Sequence, residues 1–301
     1  MRAGLLAATR SLILIAMRLI RFLMLGLAAT LVVVAGCSEE TTAPPPEETS
    51  ELDAHFKLTV DGAPVQRFSL IYTNDAGTKY SIEELKFIVS DVKLHNDEGG
   101  TVLLKSVHYF DIGDPGTQSF HAEDLPHANY TSVSFTFGLD ASKNVRDRYP
   151  AIPAIMVWPT GLGPDLGYHY MQIEGDFELT PGDGGAGGYT THTGGRHLDG
   201  TNPTYPNVVD NPAKHFHFPI NAPFTPAHIH EGGHGELEIT FNLNGWYLDH
   251  TPADGVDTQY DFKTLPSQMI MGDLDAQGKL QVNGPGCFSA TLVAHGGHDG
   301  H

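Results

Sequence analysis

His215-Phe216-His217-Phe218 and His228-Ile229-His230 each set two imidazoles two residues apart, and His234 follows four residues later. On an extended strand, residues i and i+2 share a face, so each pair can direct two ring nitrogens at one ion. Histidine is the commonest ligand for zinc, copper and nickel, and two imidazoles held on one face lower the entropy cost of assembling a site. An isolated His-X-His is more often a pair of surface histidines; two such pairs in one chain favour a metal site. The chain holds 17 histidines, as many as its lysines and arginines together, and nine of them follow residue 214. His295, His298 and His301 end the chain as a glycine-rich tail that could collect metal, though flexible imidazoles bind weakly.

The metal is less sharply defined than the ligands. Met156, Met171, Met269 and Met271 offer soft thioethers, which favour cuprous copper, and His169 precedes Met171 by two residues. Zinc, the alternative, would accept the imidazoles alone. Hydrolytic chemistry finds no support, since neither His-Glu-X-X-His nor Gly-X-Ser-X-Gly occurs. Glu174 and Asp176 are two acids two apart on a strand beside a glycine, the usual form of an exposed face. The expected function is binding, with no catalysis by the chain itself.

The elements that must hold these residues are strands. Val133, Phe135 and Phe137 alternate with Ser132, Ser134 and Thr136, the period of a half-buried strand. Similar patterns predict strands over 55–60, 86–94, 102–110, 131–139, 168–179, 215–220 and 236–243, separated by turn signals such as Asp61-Gly62 and Glu98-Gly99-Gly100. Seven or more short strands with few helical stretches predict an all-β fold, an antiparallel β-sandwich in a single domain over 52–290. Only 80–88 and 143–149 could form helical turns, and 181–212, rich in glycine and proline, reads as a long inserted surface loop. Residues 291–301 read as a disordered His-rich tail.

The beginning of the chain speaks to location. Residues 1–36 carry Arg2, Arg10, Arg18 and Arg21, no acid, and an apolar run from Phe22 to Val34, the layout of a secretory signal. Val34-Ala35-Gly36-Cys37 resembles a bacterial lipobox, which would make Cys37 the lipidated first residue of an exported, membrane-anchored lipoprotein facing the periplasm. Met17 could equally be the start, because the signal is complete from there. Residues 37–51, with three consecutive prolines and almost no apolar side chain, predict a flexible tether. Without the signal, 13 basic residues face 36 acidic ones, a net charge near −23 that excludes nucleic acid as a natural partner. Cys287 is the other cysteine, so lipidated Cys37 leaves it no disulfide partner, and it reads as a small buried hydrophobe.

A set of segments resembles the MbnP-like family, periplasmic copper-binding proteins associated with methanobactin operons. They are residues 80–92 (YSIEELKFIVSDV), Phe135-Thr136-Phe137-Gly138-Leu139-Asp140 followed by Asn144, Met156-Val157-Trp158, residues 167–175 (GYHYMQIEG) and Phe216-His217-Phe218. They stand in the family's order and span most of the chain after its signal. The resemblance implies a β-sandwich with copper at one end and a di-haem partner of the cytochrome c peroxidase type. In the family that partner can oxidise a tryptophan to kynurenine and so create or complete the copper site. Trp158 is the residue onto which that modification carries, in a Pro- and Gly-rich loop able to present its ring; the alternative is that it plugs one end of the core. Trp246, in Asn244-Gly245-Trp246-Tyr247, reads as a packing residue. Two positions depart from the family: Pro219 stands where glycine is usual, and His169 where lysine often follows Gly-Tyr.

Two readings follow. One is a lipid-anchored protein that stores, delivers or senses copper through His215, His217, His169 and Met171, with His228 and His230 as a second pair. The other is a structural or interaction lipoprotein of the envelope whose histidines are surface residues.

Overall fold

Apolar side chains at alternate positions of adjacent strands must be buried against a second layer, and here two sheets do this for each other. The computed structural model describes residues 49–158, 167–194, 197–198, 208–209, 215–247, 258–265, 268–270 and 273–296. The signal, Cys37, the tether to residue 48, Met271, His298 and His301 lie outside the described residues.

Fifteen strands are described: β1 (Ser50–Val60), β2 (Ala63–Pro64), β3 (Tyr72–Thr73), β4 (Lys79–Tyr80), β5 (Glu84–Asn96), β6 (Thr101–Asp111), β7 (Ser119–Leu125), β8 (Ala128–Phe137), β9 (His169–Glu178), β10 (Ala186–Gly194), β11 (His197–Leu198), β12 (Val208–Val209), β13 (Phe218–Ile229), β14 (His234–Asn242) and β15 (Phe288–His295). One α-helix, α1 (Leu274–Asn283), precedes β15. The first sheet runs β15-β14-β1-β2 with β7 also on β1, and the second runs β13-β8-β5-β9-β4-β3 with β6 on β5 and β10 on β9. Pairing among the named strands is antiparallel except between β1 and β14. This is the all-β sandwich that the strand patterns predict.

Aromatic rings join the layers. Phe87 of β5 meets Phe56 of β1 and Phe241 of β14 edge-on, each at 5.6 Å, and stacks on Phe110 at 4.5 Å. Such arrangements add to area burial because the positive edge of one ring meets the negative face of another. Trp246 packs on Phe137 at 5.5 Å and on Phe216 at 5.9 Å, in the packing role expected of it. Cys287 is buried, and burial pushes its thiol well above the usual range.

Several boundaries differ from the sequence reading. The fold begins at Ser50, which is buried and donates its hydroxyl to His230 O at 2.7 Å, so the tether ends before residue 51. At the other end β15 pairs with β14 out to His295, so residues 291–295 belong to the sheet and not to a tail. Residues 80–88 enter strands β4 and β5 rather than helical turns. The inserted loop holds a full strand, β10, paired along β9. Its glycines hide the pattern, but Tyr189, Thr191 and Thr193 alternate inward as strand residues must. Helix α1 lacks a clear apolar stripe; Asp273 caps it, accepting from the Ala276 amide at 2.9 Å.

Two consequences can be measured. Phe87→Ala leaves a cavity between the sheets and is expected to cost about 3–5 kcal/mol in urea unfolding. Burial lowers the His108 pKa to about 4, Thr117 O opposing the shift through its hydrogen bond and Lys105 adding to it. The unfolded chain therefore binds more protons on His108 below pH ~6.5 than the folded one, and stability falls as pH drops from there towards 4, at up to about 1.4 kcal/mol per pH unit. His108→Phe, which keeps the ring stacked on Phe56, should flatten that part of the pH–stability curve.

Candidate metal centre

Gly194, the last residue of β10, is where the pieces meet. Its carbonyl accepts from the Phe216 amide at 3.0 Å, which fixes the His215-Phe216-His217 segment against the second sheet. A Cβ at Gly194 would lie 3.0 Å from Tyr168 O, 3.4 Å from Trp158 Cζ3 and 3.6 Å from His169 Cα. Trp158, His169 and the two-histidine segment are thus gathered around one residue without a side chain.

His215 and His217 are not on a strand, as the i, i+2 argument expects, because β13 begins only at Phe218. They flank a tight bend in which the His217 amide donates to His215 O at 2.9 Å. The bend sends Phe216 into the core and leaves the two imidazoles 6.3 Å apart at 72°. Gln281 of α1 holds both ends of the bend, donating from Nε2 to His215 O at 3.3 Å and His217 O at 3.1 Å. Gly284 lets the segment after the helix approach: a Cβ there would sit 2.2 Å from Phe218 Cζ.

His169 is set by a bulge. Thr193 pairs with Met171 but Gly194 pairs with His169, so Tyr170 is an extra residue in β9. Tyr170 fits over Gly138, whose φ of +84° and missing side chain make room for the ring. The slip turns His169 to the face of Gln172 and Glu174, while Met171, opposite Phe87, is fully buried on the inter-sheet face. His169 and Met171 are therefore not brought together. The loop entering β9 is tied down by Asn144, whose Oδ1 accepts from the Tyr168 amide at 2.8 Å and fills the space beside Gly167.

Trp158 is 1% exposed yet stands outside the contiguous apolar core. It is not presented to solvent: its ring stacks on His169 at 4.5 Å and 27°, and its Nε1 is buried with no hydrogen-bond partner among the described residues. Arg146 donates to its carbonyl at 2.7 Å. His192 meets His169 edge-on at 5.4 Å and bonds Glu174 Oε1 at 2.9 Å. The sequence reading missed His192 because β10 was hidden, and took Glu174 for an ordinary surface acid.

Burial governs the charges. It lowers the His169 pKa to about 3, His192 adding to the shift and a hydrogen bond with Met156 backbone opposing it, so this imidazole is neutral at any physiological pH. His217 is also shifted down, by burial and then by His215, with Asp140 opposing. Asp140 is held below its usual range: burial resists its charge, but Ser142 and Lys143 outweigh that. Neutral imidazoles have a lone pair to give, and the His217 Nδ1 is buried without a hydrogen-bond partner among the described residues. The donors suit a soft or borderline cation. Among the described residues, no three His, Cys, Asp or Glu side chains already converge on one point.

His228 and His230 lie elsewhere. Their rings are 4.5 Å apart at the end of β13 remote from Phe218, roughly 35 Å of strand away from the bend.

A family model, MbnP, matches residues 49–270, most of the chain. The chain belongs to the MbnP family. Among solved structures, MbnP from Methylosinus trichosporium is similar at 16% identity and a TM-score of 0.46, covering 81% of this chain and 99% of that one. No curated protein matches the chain. In this MbnP-family chain, segments that carry the resemblance supply Trp158, His169 and Phe216 to the Gly194 junction. Ser90 of β5 bonds Gly138 O at 2.8 Å, Asp91 pairs with Lys143, and Asn144 with Gly167 sets the turn into His169.

Gly194→Val is the sharpest test of the junction. The added branch meets Tyr168 O and the indole, so the variant is expected to lose about 1–3 kcal/mol of stability and to shift Trp158 emission to the red. A Trp246→Phe background isolates the Trp158 signal.

Proposed function

We propose that the protein is an exported, lipid-anchored copper-binding protein that stores, delivers or senses copper and catalyses nothing itself. Cys37 carries the anchor, and the copper lies at the Gly194 junction with His215 and His217 as ligands and His169 beside them. The observation that carries this reading is the stack of a buried indole, its N–H without a partner among the described residues, on a neutral imidazole next to two more histidines in a braced bend. Membership of the MbnP family adds the expectation of association with methanobactin systems.

Trp158 is the residue we assign for oxidation to kynurenine by a di-haem peroxidase-type partner. Cleavage of the indole Cγ–Cδ1 bond inserts two oxygen atoms, supplied by two equivalents of hydrogen peroxide that leave as two waters. Hydrolysis of the formyl group then releases formate and frees an arylamine beside a ketone. The product has a nitrogen that can donate its lone pair, where the buried indole N–H has none to offer. Cuprous copper accepts imidazole and uncharged nitrogen in low coordination numbers, and zinc is the alternative for the same imidazoles.

Mass spectrometry and metal analysis of the protein from its native host test this. Trp158 heavier by about 4 Da, with copper bound stoichiometrically, is the expected result. His215→Ala with His217→Ala should abolish copper binding while Trp246 stays unmodified. Copper retained in that double variant, or absent from the native protein, would overturn the reading.

A further inference from the structure

Glu51 and Asp53 are two residues apart on β1 and share the outer face of the first sheet. Antiparallel β7 sets His121 opposite Asp53, and parallel β14 sets His234 opposite Glu51. Each imidazole turns its two nitrogens to two different carboxylates. His121 has Nδ1 2.8 Å from Asp53 Oδ1 and Nε2 3.7 Å from Glu51 Oε2, and His234 has Nδ1 3.4 Å from Glu51 Oε1 and Nε2 3.5 Å from Asp53 Oδ2. Acid and base thus alternate around a ring that crosses three strands. A neutral imidazole carries one N–H and one lone pair, whereas a carboxylate only accepts, so each neutral histidine here sets a lone pair against a carboxylate oxygen. An imidazolium donates from both nitrogens. The ring is therefore complementary to two protonated histidines.

We propose that Glu51, Asp53, His121 and His234 form a proton-dependent clasp, which ties β7 and β14 to the first residues of β1 while both imidazoles are charged and loosens as they lose their protons. The backbone at this place is irregular. Between Ser50 and Leu52 the register with β7 shifts, the chain taking three steps from Leu125 to Ala122 against two on β1, with Asp124 at φ +59° in the left-handed region. The ladder is interrupted beside Glu51, so the side-chain ring adds to a hold that the backbone alone makes incompletely. Among the described residues β7 is paired with β1 only, and the clasp grips β1 where that pairing is weakest.

The groups around the clasp set its sign. His121 faces Glu51 and Asp53 from β1 and Glu123, at 3.8 Å, from its own strand. His234 faces the same two acids, and His295 of β15 lies over it at 6.5 Å with Glu236 3.7 Å from His295. Lys57 of β1 is engaged by Glu238 at 3.1 Å. The hydrogen bond to Asp53 raises the His121 pKa above its usual value; burial opposes the shift, and the charges of Asp53, Glu51 and Glu123 add to it. The stabilisation is therefore fully present below pH about 6.5 and is lost as pH rises through the higher folded value. His108 acts with the opposite sign and below that pH, so the two groups separate in a titration. These side chains are partly exposed and water screens them, which keeps the effect local and modest.

Amide hydrogen exchange on the full chain from about pH 6 to 8, referred to the intrinsic rate at each pH, tests the clasp. Protection at residues 51–54 of β1 and 120–122 of β7 is expected to fall about three- to tenfold over that range, the sum of a few partly exposed pairs, while β5 keeps its protection. His121→Gln with His234→Gln should hold protection at its high-pH level throughout. Glu51→Gln with Asp53→Asn, isosteric changes on an exposed face, should remove the pH dependence with the sheet intact. Lys57→Gln, whose pair with Glu238 contains no histidine, should leave it in place. By proton NMR, His121 should titrate above about 6.5 in the native chain and lower in Asp53→Asn. Flat protection in the native chain, an equal fall in Glu51→Gln with Asp53→Asn, or His121 titrating at or below about 6.5 would overturn the proposal.

Discussion

The hydrogen bond from the Phe216 amide to Gly194 O joins the two parts of the chain that carry the candidate centre. On one side β9 and β10 hold His169 and His192; on the other the bend before β13 holds His215 and His217. A side chain at Gly194 would crowd Trp158 and the Tyr168 carbonyl. The close approach of backbone to indole thus favours glycine, and the indole in turn lies on His169. Removing any one of these contacts frees the others.

The helix explains why the bend keeps its shape. A bend with two histidines has little to hold it through its own backbone, and Gln281 supplies the missing donor to both carbonyls. Asn283 continues the bracing by donating to Trp246 O at 3.0 Å, so the ring that packs on Phe216 is fixed by the same helix. Burial then sets the chemistry. Imidazoles withdrawn from water lose protons more readily, which keeps His169 and His217 neutral and nucleophilic towards a metal.

Much of the sandwich was legible because alternation survives wherever one face is buried. The strand containing Phe135 and Phe137 shows it plainly, and so does the one containing Leu237, Ile239 and Phe241. Strand β10 did not, since glycines at 187 and 188 carry no hydropathy signal and β-pairing with β9 is a long-range fact. Histidine spacing was informative about which residues meet but not about how: His215 and His217 stay close through a bend, not through strand periodicity. The bulge at Tyr170 is the deepest limit of this kind. A single extra residue turns His169 away from Met171, and it arises from the fit of Tyr170 over Gly138, two segments about 30 residues apart in the chain.

The same logic of strand register accounts for the difference between the two ends of the sandwich. At the junction, His169 and His217 are withdrawn among aromatic rings and wholly or partly out of water. On the outer face of β1, alternate positions are free to be charged because they bury nothing, and neighbouring strands bring histidines opposite acids. A carboxylate there costs little in desolvation; the same carboxylate beside Trp158 would be costly to bury. The partition of donor types between the two ends therefore follows from which strand faces the core closes off.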